Sequence, residues 1–388
     1  MPLPKDFRLA KRTSVHLDVI RGVSALAVML YHLRGVFFVD FPFLAKKSWL
    51  NIAIYAVTGY GHQAVMIFFV LSGYFIGTSV MDSVGKQEWS WKKYLVSRVT
   101  RLQLVLFPAL VLGGVWDRIG MRIPQATAIY YDALYKFYEP SVALRSTAQV
   151  FLGNFFFLQS IVSPVFGSNT PLWSLSYEFW YYLVFPFLVL AATAWAGIRI
   201  RVIYAALALV VLWFIGPLIS SYFLIWLAGV LVGRLRRLTN FKTSSAMLSV
   251  SAGLIFFGSL AWSRTHRLST DLLTDYVVGF CFSLWLYTLL LGSREDFSPA
   301  YAFVAKKLAG FSYTLYLTHL PALILLRALF DPQGNWQPDA LHLVYAVGIA
   351  LLMLSYAYAL AHFTEARTDS VRRWLLRPRV ALESETRT

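Results

Sequence analysis

Long apolar runs recur along almost the whole chain, and most of them are close to the length that a helix needs to cross a bilayer. A transmembrane helix takes about 20 mostly apolar residues, because it must span about 30 Å of hydrocarbon. The runs predict an all-α, polytopic helical membrane bundle of about ten transmembrane helices. The predicted spans lie near residues 17–39, 52–80, 99–117, 174–197, 202–216, 217–233, 244–263, 271–291, 308–329 and 341–363.

Composition excludes a soluble enzyme. Hydrophobic residues make up 58% of the chain and charged residues 14%, whereas a soluble domain has about 45–50% and about 25%. Two short spans meet at Gly216 and Pro217, which predicts a tight turn or a kinked pair. The apolar stretch 148–166 is predicted to be re-entrant or interfacial, because a further crossing would spoil the charge pattern described next.

The net charge of +16 is distributed unevenly between the loops. With the N-terminus inside, the inner segments carry more than twice as many Lys and Arg residues as the outer ones. That bias predicts cytoplasmic N- and C-termini and a multi-pass membrane protein, with the bilayer rather than a nucleic acid as its charged partner. We expect a basic tail over 1–16, a membrane domain over 17–363 and a second basic tail over 364–388. The single cysteine, Cys281, excludes an internal disulfide, and no spacing predicts a metal site.

Arg21 and His32 are ionisable residues inside the first predicted span. A charge at the centre of a span costs about 2.5–3.5 kcal/mol, so such residues are functional candidates. Eleven residues apart, they share a helix face and are separated by about 16 Å along the axis. Asp18 lies one turn before Arg21 and can pair with it. Alternatively, Arg21 reaches towards the headgroups and His32 bonds a backbone carbonyl.

Arg98 and Arg101 lie where an inner loop enters the third predicted span. Their spacing puts both guanidinium groups on one helix face, near a helix N-terminus that favours anions. The pair is therefore suited to a phosphorylated ligand from the cytoplasm. An ordinary positive anchor at the inner membrane surface is the other interpretation.

Three further polar features interrupt apolar spans. Glu178 opens the fourth span among aromatic residues and is either a functional carboxylate or an interfacial residue. His319 lies near the middle of the ninth span, before Pro321, where structural bonding to a backbone carbonyl is at least as reasonable as catalysis. Ser72 and Gly73 are small residues that allow close helix packing or leave room for a thin ligand arm.

Five motifs stand in a single order along the chain. They are Leu17-Asp18-Val19-Ile20-Arg21-Gly22 followed by His32, Phe68-Phe69-Val70-Leu71-Ser72-Gly73, Arg98-Val99-Thr100-Arg101, Trp173-Ser174-Leu175-Ser176-Tyr177-Glu178, and Ser312-Tyr313 followed by Tyr316-Leu317 and His319. This series resembles the acyltransferase-3 family of bacterial integral-membrane O-acyltransferases across nearly the whole chain. One departure is Met66, where the family often has an aspartate.

The resemblance implies an acyltransferase that takes an acyl group, most often acetyl, from cytoplasmic acyl-CoA. The acceptor it implies is a hydroxyl of a surface or lipid-linked glycan at the outer face. Arg21, His32 and Glu178 are then expected in the catalytic site, and Arg98 and Arg101 are expected to bind acetyl-CoA. Neutral His32 would act as general base on the acceptor hydroxyl. Arg21 would stabilise His32 or an oxyanion, or bind CoA, and orientation of His32 is one role for Glu178.

Two other functions fit the same residues. A polytopic transporter or flippase for a sugar-containing or lipid-linked substrate would line its pathway with intramembrane ionisable groups. A membrane acyltransferase of another class would use the same donor with a lipid or protein acceptor. Dependence on acyl-CoA separates the transporter from either enzyme.

Overall fold

The computed structural model of the chain describes residues 6–132, 141–193, 197–239, 246–265, 271–292, 298–332 and 335–377. Within these ranges the regular structure is helical, with two isolated β-bridges. The helices are α1 (Asp6–Phe37), α2 (Trp49–Val57), α3 (Gly61–Gly85), α4 (Trp91–Gly120), α5 (Thr127–Tyr131), α6 (Ala148–Phe155), α7 (Trp173–Ala192), α8 (Ile198–Leu238), α9 (Ala246–Thr265), α10 (Asp271–Gly292), α11 (Pro299–Ala309), α12 (Ser312–Phe330), α13 (Ala340–Phe363) and α14 (Thr368–Leu376).

In the described part of the chain, nine helical stretches are long and apolar enough to cross a membrane, which confirms the polytopic helical bundle. One of them, α8, has 41 residues, about twice the length of one crossing. Its helical conformation breaks at Gly216, where φ is 79° and ψ is 172°. Ser220 Oγ donates to the Leu212 carbonyl oxygen at 3.1 Å, although these residues would lie about 12 Å apart along a straight helix. The chain therefore bends sharply, and α8 contains both the fifth and the sixth predicted spans.

Two other segments differ in detail from a simple crossing. The second predicted span, 52–80, is divided between α2 and α3, because α2 ends at Val57 and α3 begins at Gly61. The stretch 148–166 contains only the eight-residue helix α6, which is too short to cross. The helix α1 extends back to Asp6, into the predicted tail 1–16. Residues 1–5 and 378–388 of the predicted tails lie outside the described residues.

Close helix packing explains the small residues of α3. A Cβ added to Gly73 would lie 1.8 Å from the carbonyl oxygen of Trp226, and one added to Gly77 would lie 2.7 Å from Val230. The residue numbers of the contacting pairs rise together along both helices, so α3 and the second half of α8 run parallel. The second and sixth predicted spans cross in the same direction, so the parallel packing agrees with the predicted order of crossings.

The centre of the bundle is α12. It packs against α1, α4 and α13, while α3 packs against α1, α7 and α8. In the most apolar stretch of α12, 72% of the residues are buried. In the most apolar stretch of the segment Ala340–Leu376, which includes α13, 17% are buried. Polar side chains on α12 and its neighbours are consequently removed from lipid and held against one another.

Candidate active site

A narrow cavity of about 100 Å³ lies between α1, α3, α4, α7 and α12. Four of the five predicted site residues line it, namely Arg21, Arg98, Arg101 and Glu178. The fifth, His32, is not among the residues that line it. Helix packing thus brings together side chains from three separate sequence motifs.

One part of the cavity wall is cationic. Arg98 and Arg101 are one turn apart on α4, where Arg98 is half-buried and Arg101 is exposed. The guanidinium carbon of Arg98 lies 5.6 Å from the centre of the Tyr94 ring, a cation–π contact. Arg21 joins them from α1 and pairs with Asp18 at 3.6 Å, as predicted. Three accessible cations in an apolar bundle favour an anionic ligand.

A carboxylate network forms another part of the wall. Glu178 Oε1 accepts a hydrogen bond from Ser72 Oγ at 2.8 Å and a second one from the Tyr182 hydroxyl. The indole N–H of Trp226 donates to Ser72 Oγ at 3.1 Å. Ser72 therefore lines the cavity with its hydroxyl oriented by a carboxylate, while its neighbour Gly73 allows the packing against α8.

The two intramembrane histidines are bonded to each other, although they are 287 residues apart. His319 Nδ1 lies 2.8 Å from the Leu315 carbonyl oxygen, and His319 Nε2 lies 2.9 Å from His32 Nδ1. A carbonyl oxygen only accepts, so uncharged His319 carries its proton on Nδ1 and accepts at Nε2. His32 then donates from Nδ1 and has its lone pair on Nε2. The pair therefore gives His32 the tautomer in which Nε2 can take up a proton.

The histidine pair adjoins the cavity through aromatic side chains. The rings of His319 and Tyr316 are 6.5 Å apart, and those of Tyr316 and Phe68 are 5.6 Å apart. Both Tyr316 and Phe68 line the cavity. His32 is half-buried and His319 is 1% exposed. His319, which bonds His32, is thus separated from the cavity by one side chain, that of Tyr316.

The contacts of Glu178 differ from its expected role of orienting His32. The residue bonded to His32 Nδ1 is His319, whereas the hydrogen bonds of Glu178 go to Ser72 and Tyr182. His319 makes the carbonyl bond expected of a structural histidine, but it also contacts His32. Sequence reasoning did not identify Glu365, which accepts from the Thr314 N–H at 3.2 Å and interacts electrostatically with Arg21 and Arg101. No motif marks that glutamate.

Comparison with known proteins supplies an independent result. A family model described as an acyltransferase domain matches residues 15–362. The acyltransferase MdmB of Streptomyces mycarofaciens is 28% identical over 187 residues, which are 47% of this chain and 40% of that protein. A Bacillus subtilis (strain 168) protein, YrhL, whose name gives it as a putative peptidoglycan O-acetyltransferase, is 26% identical over 180 residues, 44% of this chain and 23% of its own length. The chain therefore matches less than half the length of either relative. No solved structure matches it significantly.

Proposed function

The chain belongs to the acyltransferase-3 family, and on that premise we propose that it is a membrane O-acyltransferase that moves an acetyl group from cytoplasmic acetyl-CoA to a hydroxyl of a glycan. The acceptor is a surface glycan or its lipid-linked precursor at the outer face of the bacterial inner membrane. The observation that carries the proposal is one cavity lined by Arg21, Arg98, Arg101 and Glu178, with Tyr316 between it and His319, the partner of His32.

The donor head is held by the cationic wall. Acetyl-CoA has a polyanionic nucleotide head and a long thin arm, so it needs cations at one end and a narrow path at the other. Arg98 and Arg101 lie on α4 at the end predicted to face the cytoplasm and bind the phosphates. Arg21 lines the same cavity, which supports a donor-binding role for it over a role at His32, about 16 Å further along α1.

His32 is the general base. Its Nε2 removes the proton of the acceptor hydroxyl while the hydroxyl oxygen attacks the thioester carbonyl carbon. A carbon–oxygen bond forms, the carbon–sulfur bond breaks, and the proton passes from His32 to the departing CoA thiolate. His319 is a positioning residue, because its Nε2 accepts from His32 Nδ1 and so acts, together with the Val28 carbonyl that also bonds His32, to keep the lone pair on Nε2.

Glu178 acts through the network around Ser72 and Tyr182. It interacts electrostatically with Arg101, so it offsets part of the positive charge that lines the cavity. Direct transfer at His32 is the simpler path. An acyl-Ser72 intermediate would need a second step, and the Ser72 hydroxyl already donates a hydrogen bond to the Glu178 carboxylate.

Acetylation of cell-surface glycans tests the proposal. Cells that express the wild-type chain should carry glycans heavier by one acetyl group, released by mild alkali, compared with cells that lack it. Cells that express His32→Ala at the same membrane level should match the cells that lack the chain. Equal acetylation in the presence of wild type and His32→Ala would remove His32 from the reaction, and glycan acetylation independent of the chain would refute the function.

A further inference from the structure

A second cavity, of about 490 Å³, opens on the side of the bundle between α4 and α6. Part of its α4 wall is a row of residues four apart in sequence. Residues at that spacing lie above one another on one helix face. The row consists of Leu110, Gly114 and Arg118, with Val111, Val115 and Ile119 beside it. Arg122 lines the cavity just beyond the end of α4, and the α6 side contributes Thr147, Ala148 and Phe151.

The length of this groove matches one leaflet of a bilayer. From Leu110 to the end of α4 at Gly120 the helix rises about 15 Å, and the hydrocarbon of one leaflet is also about 15 Å thick. Val111 and Val115 are 41% and 43% exposed along it. Gly114 brings the backbone close to Phe166, since an added Cβ would lie 3.2 Å from that ring. The groove is therefore apolar, concave and long enough for one lipid chain.

Two cations stand at one end of the groove. Arg118 and Arg122 are both exposed, and the loop charges predict that this end of α4 faces outside, where Lys and Arg are scarce. Arg118 lies in the last turn of α4, where its positive charge interacts favourably with the partial negative charge of the helix end. Arg122 lies beyond the helix end and lacks that interaction. The adjacent carboxylate, Asp117, is directed at Ser168, whose N–H and hydroxyl donate to it at 2.8 and 2.6 Å.

We propose that this groove between α4 and α6 binds a membrane lipid with a phosphate headgroup from the outer leaflet. The lipid chain lies along Leu110, Val111 and Val115, and the phosphate lies between Arg118 and Arg122. Two like charges at the same end of the groove repel each other, and a phosphate between them offsets that repulsion. This site goes beyond the proposed acyl transfer, which requires neither the groove nor the two arginines.

Lipid binding to the purified full-length chain tests this site. The chain is prepared in an uncharged maltoside detergent and titrated by native mass spectrometry with dioleoylphosphatidylglycerol, dioleoylglycerol or inorganic phosphate. Phosphatidylglycerol should bind at least about tenfold more tightly than either of the other two. The double variant Arg118→Gln, Arg122→Gln should bind phosphatidylglycerol about 30-fold more weakly than wild type, because each substitution removes one cation from the headgroup site.

Two further variants make the result specific. Lys46→Gln with Lys47→Gln removes an exposed cation pair that is also predicted to face outside but lies apart from the groove, and it should bind phosphatidylglycerol as wild type does. Val115→Trp fills the groove and should weaken binding of phosphatidylglycerol but not of inorganic phosphate. Equal weakening in the two charge variants, unchanged lipid binding in Val115→Trp, or inorganic phosphate bound as tightly as the lipid would overturn the proposal.

Discussion

His319→Leu tests whether the histidine pair prepares the base. The substitution removes the acceptor that lies 2.9 Å from His32 Nδ1 and leaves a side chain of similar bulk. Loss of one buried hydrogen bond is worth about 1–2 kcal/mol. If that energy holds His32 in its reactive orientation and tautomer, kcat falls about 5- to 30-fold. The KM for acetyl-CoA should stay constant, because His319 does not line the cationic cavity.

The assay is CoA release from acetyl-CoA by the purified protein in the presence of acceptor glycan, followed with a thiol reagent. His319→Gln is the matched control, because its amide oxygen can accept from His32 Nδ1 and should restore kcat to within about threefold of wild type. His32→Ala should lose more, about 10²–10⁴-fold, since the base itself is gone. A leucine variant as fast as wild type, or a glutamine variant as slow as the leucine variant at equal thermal stability, would refute the positioning role.

Three other substitutions have different expected signatures. Arg98→Gln with Arg101→Gln should weaken CoA binding at least about 100-fold in a direct titration, because the phosphates then have two fewer charged hydrogen-bond donors. Glu178→Gln should lower the transfer rate about tenfold, as the Ser72 network loses its charged acceptor, without weakening CoA binding, since the cavity becomes more positive. Gly73→Ala should destabilise the protein by about 1–3 kcal/mol in thermal unfolding, because its Cβ would meet the Trp226 carbonyl.

Controls for these variants come from the same helices or the same residue type. Lys92→Gln with Lys93→Gln removes two exposed cations at the start of α4 and should leave CoA affinity unchanged. If it lowers CoA affinity as much as the arginine double variant does, the loss reflects overall charge and not a phosphate site at Arg98 and Arg101. Gly348→Ala adds a Cβ to α13 with nothing within 4 Å, so it should unfold no earlier than wild type. If Gly73→Ala and Gly348→Ala unfold at the same temperature, the close packing of α3 on α8 is not what stabilises this region.

The architecture could be predicted because a bilayer imposes a length and a polarity on each crossing helix. The bend at Gly216 was also readable, since a glycine followed by proline cannot continue a regular helix. The end of α2 at Val57 and the start of α3 at Gly61 were not, because no charge or proline interrupts that apolar run. Helix boundaries inside an apolar segment depend on tertiary packing that hydropathy does not record.

Four of the five residues expected in the site line the candidate cavity, but their pairing across helices could not be predicted. Spacing on a single helix indicated that Arg98 and Arg101 share a face. Which groups meet across helices depends on how α1, α7 and α12 pack around α3 and α4. That packing joins His32 to His319 and Glu178 to Ser72, contacts between residues far apart in the chain. A sequence motif identifies these residues as polar side chains in apolar spans, but it does not predict which residue each of them contacts.

Transfer across a sealed bilayer is the most direct measurement of the central claim, which is that one buried site takes the acetyl group from one side and delivers it to the other. Proteoliposomes would hold acetyl-CoA inside and acceptor glycan outside, and chains inserted with their termini inside would be scored by protease protection. We expect acetylated glycan outside the vesicles and free CoA inside them, and we expect neither product with His32→Ala. Acetylation only when donor and acceptor share a compartment, or movement of the glycan without any use of acetyl-CoA, would contradict the central claim.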